Sequence, residues 1–334
     1  MNSINKKRSL GQYFTTKHFW LKEHILEFIK YSNKKIAFDP FAGGGDLLNI
    51  AKKIGFKETK GFDIDDSLGW EINDSLLNIP KIDDSIIITN PPYLSNYSAK
   101  RKGIYSTVEK YFNNCNYDNI YQLALEKCLE NNDFGIAIIP ETFINSKFPK
   151  NRLVSITIIE DMMFDDTENP ICVICFDNKN KNLKNIKLYK NDEFLGHLEN
   201  FERMRKKPKK NIPIKFNSTN GQIALRAVDT TNIKKPIQFL QPNNIDYDLS
   251  TIKISSRLIT LIELNIQKNQ INQVIDTSNK ILETFRINTH DILLSPFKGN
   301  KKNGERRRRL DYKTARAILE EAYNSINQIP SLFK

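Results

Sequence analysis

Cysteine and histidine are scarce, four of each in 334 residues, and each scarcity excludes something. Cys115, Cys128, Cys172 and Cys175 are too few for the disulfide framework of a secreted domain. Cys172 and Cys175 do form a C-x-x-C, but inside the apolar run Ile171-Cys-Val-Ile-Cys-Phe176, which reads as a buried strand rather than a zinc or redox site. His18, His24, His197 and His290 show no metal-ligand spacing, so no metal is expected. No run approaches the roughly 18 apolar residues of a membrane span, and the N-terminus lacks an apolar signal core. A cytoplasmic protein without membrane contact is therefore expected. Glycine and proline are few, 13 each, and with 39% of residues hydrophobic they describe a globular protein rather than a collagenous or low-complexity one.

Charge is informative once it is divided along the chain. Residues 1–200 hold 26 Lys and Arg against 27 Asp and Glu, net −1, whereas residues 201–334 hold 25 against 12, net +13. The length suggests about two domains. A neutral domain over 1–198 and a basic one over 199–334 that meets a polyanion, with nucleic acid foremost, follow from the asymmetry.

The first part carries a segment with distinctive chemistry. Ser85-Ile86-Ile87-Ile88 reads as a short buried strand, and Thr89-Asn90-Pro91-Pro92-Tyr93 follows at its carboxyl end. Ligands of open α/β sheets bind at that end. An exocyclic amine on a purine is a poor nucleophile because its lone pair is delocalised into the ring. Two acceptors, the Asn90 amide oxygen and the Pro91 carbonyl, would draw the amine towards tetrahedral geometry and release that lone pair. Pro91 and Pro92 fix the backbone and add no competing N–H donor. Tyr93 offers a ring on which a base can stack, so its ring rather than its hydroxyl is expected to matter.

Upstream, Lys35–Phe38 reads as a first strand running into Asp39-Pro-Phe41-Ala42-Gly43-Gly-Gly-Asp46 and then a helix. Strand, glycine-rich turn and helix suit a nucleoside-bearing ligand. The turn is neither G-x-G-x-x-G nor a P-loop, and the Asp39 carboxylate suits a cationic group better than a phosphate. Gly61-Phe-Asp63-Ile64-Asp65 reads as a second strand ending in acid. Asp63, 24 residues after Asp39, stands where α/β nucleotide folds place the carboxylate that holds ribose hydroxyls. Asp74 is a third acid before the Ile86 strand.

In this order the segments Gly11-Gln-Tyr13-Phe-Thr15, Asp39 to Asp46, Gly61 to Asp65 and Thr89 to Tyr93 resemble the S-adenosylmethionine (AdoMet)-dependent adenine-specific DNA methyltransferases of type II restriction-modification systems, over about residues 10–176. The resemblance implies a Rossmann-like AdoMet-dependent methyltransferase sheet followed by a C-terminal mixed α+β target-recognition domain. It implies AdoMet as cofactor, with Tyr13, Thr15, Asp39, Phe41, Ala42 and Gly43 around its methionine part. Asp63 and Ile64 would lie at its ribose, Asp74 would read its adenine amine, and Asn90 would lie beside it. Asn90, Pro91, Pro92 and Tyr93 would hold a flipped-out target adenine, with Phe164 covering its other face. A monomer acting on duplex DNA is expected, with a restriction endonuclease encoded nearby as a functional rather than physical partner. Protein-glutamine methyltransferases and ribosomal RNA amino-methyltransferases use related motifs and are the alternatives.

Only 11 residues separate Asp63 from Asp74, short for the family, so a helix is expected to be missing or reduced and Asp65 and Trp70 are further candidates there. Leu94 to Lys110 reads as a loop carrying Lys100, Arg101 and Lys102 to phosphates. Helices are expected over 119–130, 255–264, 272–285 and 312–324, and strands over 134–139, 155–160, 171–176 and 221–228. Residues 200–213 read as a linker or a first DNA-facing segment, and Phe297 to Arg309 as a basic loop whose Arg306, Arg307, Arg308 and Arg309 clamp phosphate.

Overall fold

The computed structural model describes residues 18–113, 115–161, 169–245 and 258–327. The chain forms two compact units, 1–200 and 201–334. In the first, nine strands build one sheet: β1 (Ile36–Asp39), β2 (Glu58–Asp63), β3 (Glu71–Ile72), β4 (Ser85–Thr89), β5 (Gly135–Pro140), β6 (Leu153–Ile159), β7 (Ile171–Phe176), β8 (Lys187–Lys190) and β9 (Glu193–His197). Their spatial order is β3-β2-β1-β4-β5-β7-β6-β8-β9. β3, β2, β1, β4 and β5 run parallel, and β7 enters antiparallel between β5 and β6. Strands covered on both faces read as unbroken apolar runs. Accordingly, β4 (SIIIT) and β7 (ICVICF) are buried at every position. This is the Rossmann-like sheet that the motifs imply, extended by β8 and β9, which the sequence reading did not foresee.

Helices cover the sheet on the side of α1 (Glu23–Ser32) and α2 (Asp46–Lys53), where Ile25, Phe28, Leu47 and Ala51 pack against Ala37, Ile86, Ile88 and Ile136. A separate apolar cluster joins α3 (Asn96–Arg101), α4 (Tyr105–Asn113) and α5 (Ile120–Asn131) through Ala99, Val108, Phe112, Leu123 and Ala124. The stretch 94–110 is thus two helices and not a loop. Ser95 caps α3 by accepting from the Ser98 amide, and Val108 and Phe112, four residues apart, give α4 its buried face. Between β2 and β3 lies only a 3-10 turn, Asp66–Leu68, so the short Asp63 to Asp74 spacing does correspond to a lost helix.

The sheet order reverses at β1 and β4. The chain steps outward from β1 to β2 and β3, then returns to β4 on the opposite side of β1, leaving a crevice outside the carboxyl ends of these two strands. Asp39 ends β1 and Asn90 follows β4.

α6 (Leu198–Met204) contains the division between the units and occupies the start of the expected linker. In the second unit β10 (Ile214–Phe216), β11 (Ile223–Arg226), β12 (Gln238–Leu240) and β13 (Ile259–Leu264) form an antiparallel sheet in the order β10-β13-β11-β12. The helix expected over 255–264 is corrected to a strand. A short apolar run does not distinguish helix from strand by period alone, and the β-branched Ile259, Thr260 and Ile262 suit a strand lying between two neighbours. The described part of that segment begins at 258. α7 (Ile271–Asn288) packs on β12, where the Asn279 amide bonds both backbone groups of Phe239. α8 (Tyr312–Asn327) starts at the Asp311 carboxylate, which accepts from the Lys313 and Thr314 amides. The expected basic loop is a hairpin of β14 (Ser295–Asn300) and β15 (Arg306–Arg309). Among the described residues no helix is long and apolar enough to cross a membrane.

Candidate active site

The crevice at the sheet reversal holds a cavity of about 320 Å³, in the range of small-molecule sites. Its walls include Asp39, Phe41, Ala42, Gly43, Asp63, Ile64, Asp74, Asn90 and Pro92, all singled out in the sequence. Of the other candidates, Tyr13, Thr15 and Phe164 lie outside the described residues. Pro91 is buried beside the cavity rather than on its wall.

The turn after β1 is held from both sides. The Gly43 amide donates to Asp63 Oδ2 at 2.9 Å, and the Gly43 carbonyl accepts from Trp70 Nε1 at 2.8 Å. Gly43 and Gly45 have φ of 51° and 81°, a region that glycine enters without strain. The Trp70 indole also fills the space a side chain would need. A Cβ at Gly45 would come within 2.8 Å of that ring, and one at Gly61 within 2.6 Å. Trp70 is therefore a clamp on the turn, while Asp65 caps the 3-10 turn through the Ser67 amide.

Three carboxylates face the cavity in different states. Asp39 is 2% exposed, and its Oδ1 accepts from Thr89 Oγ1 at 2.6 Å and the Phe41 amide at 3.0 Å. Burial pushes this carboxyl up to about 7, with those hydrogen bonds opposing the rise. Asp63 spends one oxygen on Gly43 and the other on the Asp65 amide at 3.0 Å, so it organises the turn as well as lining the cavity. Asp74 Oδ2 accepts from Lys110 Nζ at 2.8 Å and Tyr111 Oη at 3.0 Å. Burial and then the Asp74 contact raise the Tyr111 hydroxyl above its ordinary value, and the same contact raises Lys110. Thr107, Val108, Lys110 and Tyr111 of α4 also line the cavity. These four are not singled out by the sequence, in which the polar stretch 94–110 reads as a loop; the Val108 and Phe112 spacing is the available signal.

Tyr93 is half-buried, with its ring edge-on to Tyr121 at 6.4 Å. Its hydroxyl lies 2.5 Å from Asn90 Oδ1 and 2.8 Å from the Ile138 carbonyl. Lys100, Arg101 and Lys102 are exposed around the end of α3, with Lys100 Nζ over the Tyr105 ring at 4.7 Å and Arg101 over Tyr97 at 5.9 Å. In the second unit the arginine run divides: Arg306 and Arg308 are 7% and 2% exposed, Arg307 and Arg309 half-buried. A clamp of four surface arginines is corrected accordingly, since alternate residues of a strand face opposite ways.

No protein-family model matches the chain, and no curated protein sequence matches it. Similar folds occur among solved structures. The type I restriction-modification system methyltransferase subunit from Streptococcus thermophilus is 14% identical, with a TM-score of 0.38 over 57% of this chain and 50% of that one. The M protein of the type I restriction enzyme EcoKI is 13% identical, with a TM-score of 0.37 over 84% and 72%. The type IIG restriction endonuclease BpuSI is 16% identical, with a TM-score of 0.38 over 59% and 29%. The chain thus spans half of the Streptococcus subunit and less than a third of BpuSI. At these identities and TM-scores, none of the likenesses assigns an activity to it.

Proposed function

We propose that the chain is an AdoMet-dependent methyltransferase that modifies the exocyclic amino group of a flipped-out adenine in duplex DNA. The observation that carries this reading is one cavity, at the sheet reversal, that has both a carboxylate-rich wall and Asn90 and Pro92 on its lining. A ligand with cationic sulfonium and ammonium groups suits walls formed by Asp39, Asp63 and Asp74. The held turn at Gly43 and the exposed apolar face of Ile64 suit close approach of a nucleoside. AdoMet, when bound, would supply an electrophilic methyl group.

The chain's own residues then have defined tasks. Asp63, already fixed by Gly43, keeps lone pairs for ribose hydroxyls. Asp74, fixed by Lys110 and Tyr111, is an acceptor for the purine amine of the cofactor. Asn90 and the Pro91 carbonyl accept the two N–H bonds of the target amine, so that its lone pair is free for transfer. Preorganised acceptors of this kind act where charge develops and are each worth about a hundredfold in rate or more. Unstacking the target base costs a few kcal/mol, which contacts elsewhere on the duplex must offset. The net +13 of residues 201–334 supports assigning those contacts, and the choice of sequence, to the second unit. The motif resemblance adds a role in protecting host DNA from a cognate endonuclease.

Sequencing for modified bases in DNA from a host expressing the chain tests the reading. N6-methyladenine at a defined motif is expected. Methylcytosine in the hydrolysed DNA, or methyl label found only in RNA or protein, would overturn it.

A further inference from the structure

The hairpin of β14 and β15 carries seven cationic residues and one acidic residue between Ser295 and Arg309, and the structure divides these cations into two sets. Arg306 and Arg308 point inward, and Lys301 pairs with Glu305 at 3.0 Å and approaches Asp229 at 3.8 Å. Lys298 and Lys302 are exposed and pair with no carboxylate among the described residues. Arg307 and Arg309 lie on the face opposite the buried pair.

The base of the hairpin is fixed at Asp229, whose side chain is fully buried. Its carboxylate accepts from both terminal nitrogens of Arg286 at 3.0 Å, from the Ile237 amide at 2.9 Å and from the Arg308 amide at 3.1 Å. Its backbone amide donates to the Arg308 carbonyl at 3.0 Å, and its carbonyl accepts from Arg307 Nε at 2.8 Å. The Lys302 amide donates to the Thr231 carbonyl at 2.9 Å. Beyond these anchors the turn 302–305 is exposed. Gly304 has φ of 86°, with no atom within 4 Å of where a Cβ would be. The result is a two-stranded ribbon anchored at its base, with a slim cationic tip ending in Lys302-Asn303-Gly304.

We propose that this ribbon enters the major groove of duplex DNA tip first, with Lys298 and Lys302 on phosphates or guanine edges and the Asn303 amide on base edges. The inference rests on the DNA methyltransferase reading and names the element that meets the duplex. The B-form major groove, about 12 Å wide, admits a two-stranded β-ribbon, and asparagine and lysine are among the side chains that read its edges. The major groove of A-form RNA is too narrow and deep for such an element. The Asp229 bonds hold the base of the ribbon in place before DNA arrives, and such preorganisation limits the entropy lost on docking.

The test uses the full chain carrying Lys298→Ala, Lys302→Ala and Asn303→Ala together, changes at exposed positions that leave the Asp229 anchor intact. Affinity for a mixed-sequence DNA duplex, read by fluorescence anisotropy across a salt series, should fall tenfold or more. The log-log salt slope should flatten by about 0.9 for each phosphate that the variant no longer neutralises. Methyl green, which occupies the major groove, should displace the wild-type chain, and the minor-groove ligand netropsin should not. Thermal unfolding and affinity for AdoMet should be unchanged. Unaltered affinity and slope in the variant, with a wild-type chain that does bind duplex DNA, would overturn the ribbon's role and leave the methyltransferase reading standing. Equal losses on DNA and RNA duplexes would overturn groove insertion in favour of a generally basic surface. A wild-type chain that binds no duplex DNA would remove both.

Discussion

The Tyr93 hydroxyl stands between two carbonyl-type oxygens, 2.5 Å from Asn90 Oδ1 and 2.8 Å from the Ile138 backbone oxygen. A phenol has one proton and cannot donate fully to both. The Ile138 carbonyl can only accept. At 2.5 Å the contact with Asn90 Oδ1 has the length of an O–H···O bond, so Tyr93 donates to Asn90 and shares its one proton with the Ile138 carbonyl. The hydroxyl thereby becomes a positioning group for Asn90, a role that the sequence reading, with its emphasis on the ring, did not contain.

Tyr93→Phe is accordingly expected to lower single-turnover methylation several-fold, in line with loss of one hydrogen bond of about 0.5–1.5 kcal/mol, while AdoMet affinity holds. Asn90→Ala should cost about a hundredfold or more in the same assay, again with cofactor affinity largely kept. Wild-type rates in Tyr93→Phe would remove the positioning role. Activity of Asn90→Ala within about tenfold of wild type would remove the acceptor.

The clamp by Trp70 gives a stability prediction. Gly61→Ala would place a Cβ 2.6 Å from the indole and 2.9 Å from Ala42 Cβ, and overpacking of this kind costs about 1–3 kcal/mol. A lower unfolding midpoint in denaturant and weaker AdoMet binding should appear together, because the same ring holds Gly43. Trp70→Phe, which loses the bond to the Gly43 carbonyl, should weaken cofactor binding with a smaller loss of stability. Unchanged stability in Gly61→Ala would show that Trp70 moves aside at no cost.

Asp39 makes stability depend on pH in a direction opposite to that of a salt-bridged acid. Its carboxyl is raised from 3.8 to about 7 by burial, so the native state holds a proton that the unfolded chain releases near pH 4. Below that the group has no effect. From about pH 4 to 7 stability should fall as pH rises, at most about 1.4 kcal/mol per unit. Asp39→Asn should flatten this part of the stability profile. Chemical denaturation from pH 5 to 8 is the measurement, and parallel profiles for wild type and variant would mean that Asp39 ionises normally.

Much of the first unit was legible because its signals are local. The isoleucines of β4 and the run Ile171 to Phe176 are too apolar for any but a central strand, and Asp39 and Asn90 are fixed at strand ends by the chain itself. What the sequence hid depends on long-range contacts. Trp70 reaches Gly43 from 27 residues away, and Lys110 reaches Asp74 from 36. In the second unit, Ile259 to Leu264 has no period that separates strand from helix. Arg306 to Arg309 looked like one solvent-facing cluster because nothing in the run marks which arginines turn towards the interior. The loop assigned to 94–110 failed because its polar residues outweighed the one buried stripe through Val108 and Phe112.

Lys110 and Tyr111 supply the last prediction. Both donate to Asp74 Oδ2, which fixes the carboxylate and leaves its other oxygen for the purine amine that the proposed function assigns to it. A fixed acceptor should favour an adenine, which has an amine to donate, over hypoxanthine, which presents a carbonyl at the same position. Wild-type chain should therefore bind S-adenosylhomocysteine better than its inosine counterpart by tenfold or more, since an unmatched buried polar group costs about 1–3 kcal/mol. Lys110→Met with Tyr111→Phe should shrink that ratio chiefly by weakening the adenosine ligand. A purely structural role for the pair would weaken both ligands equally, and calorimetry on the two compounds distinguishes these outcomes. A wild-type chain that binds the two ligands equally would send the reading of the purine amine to a residue other than Asp74.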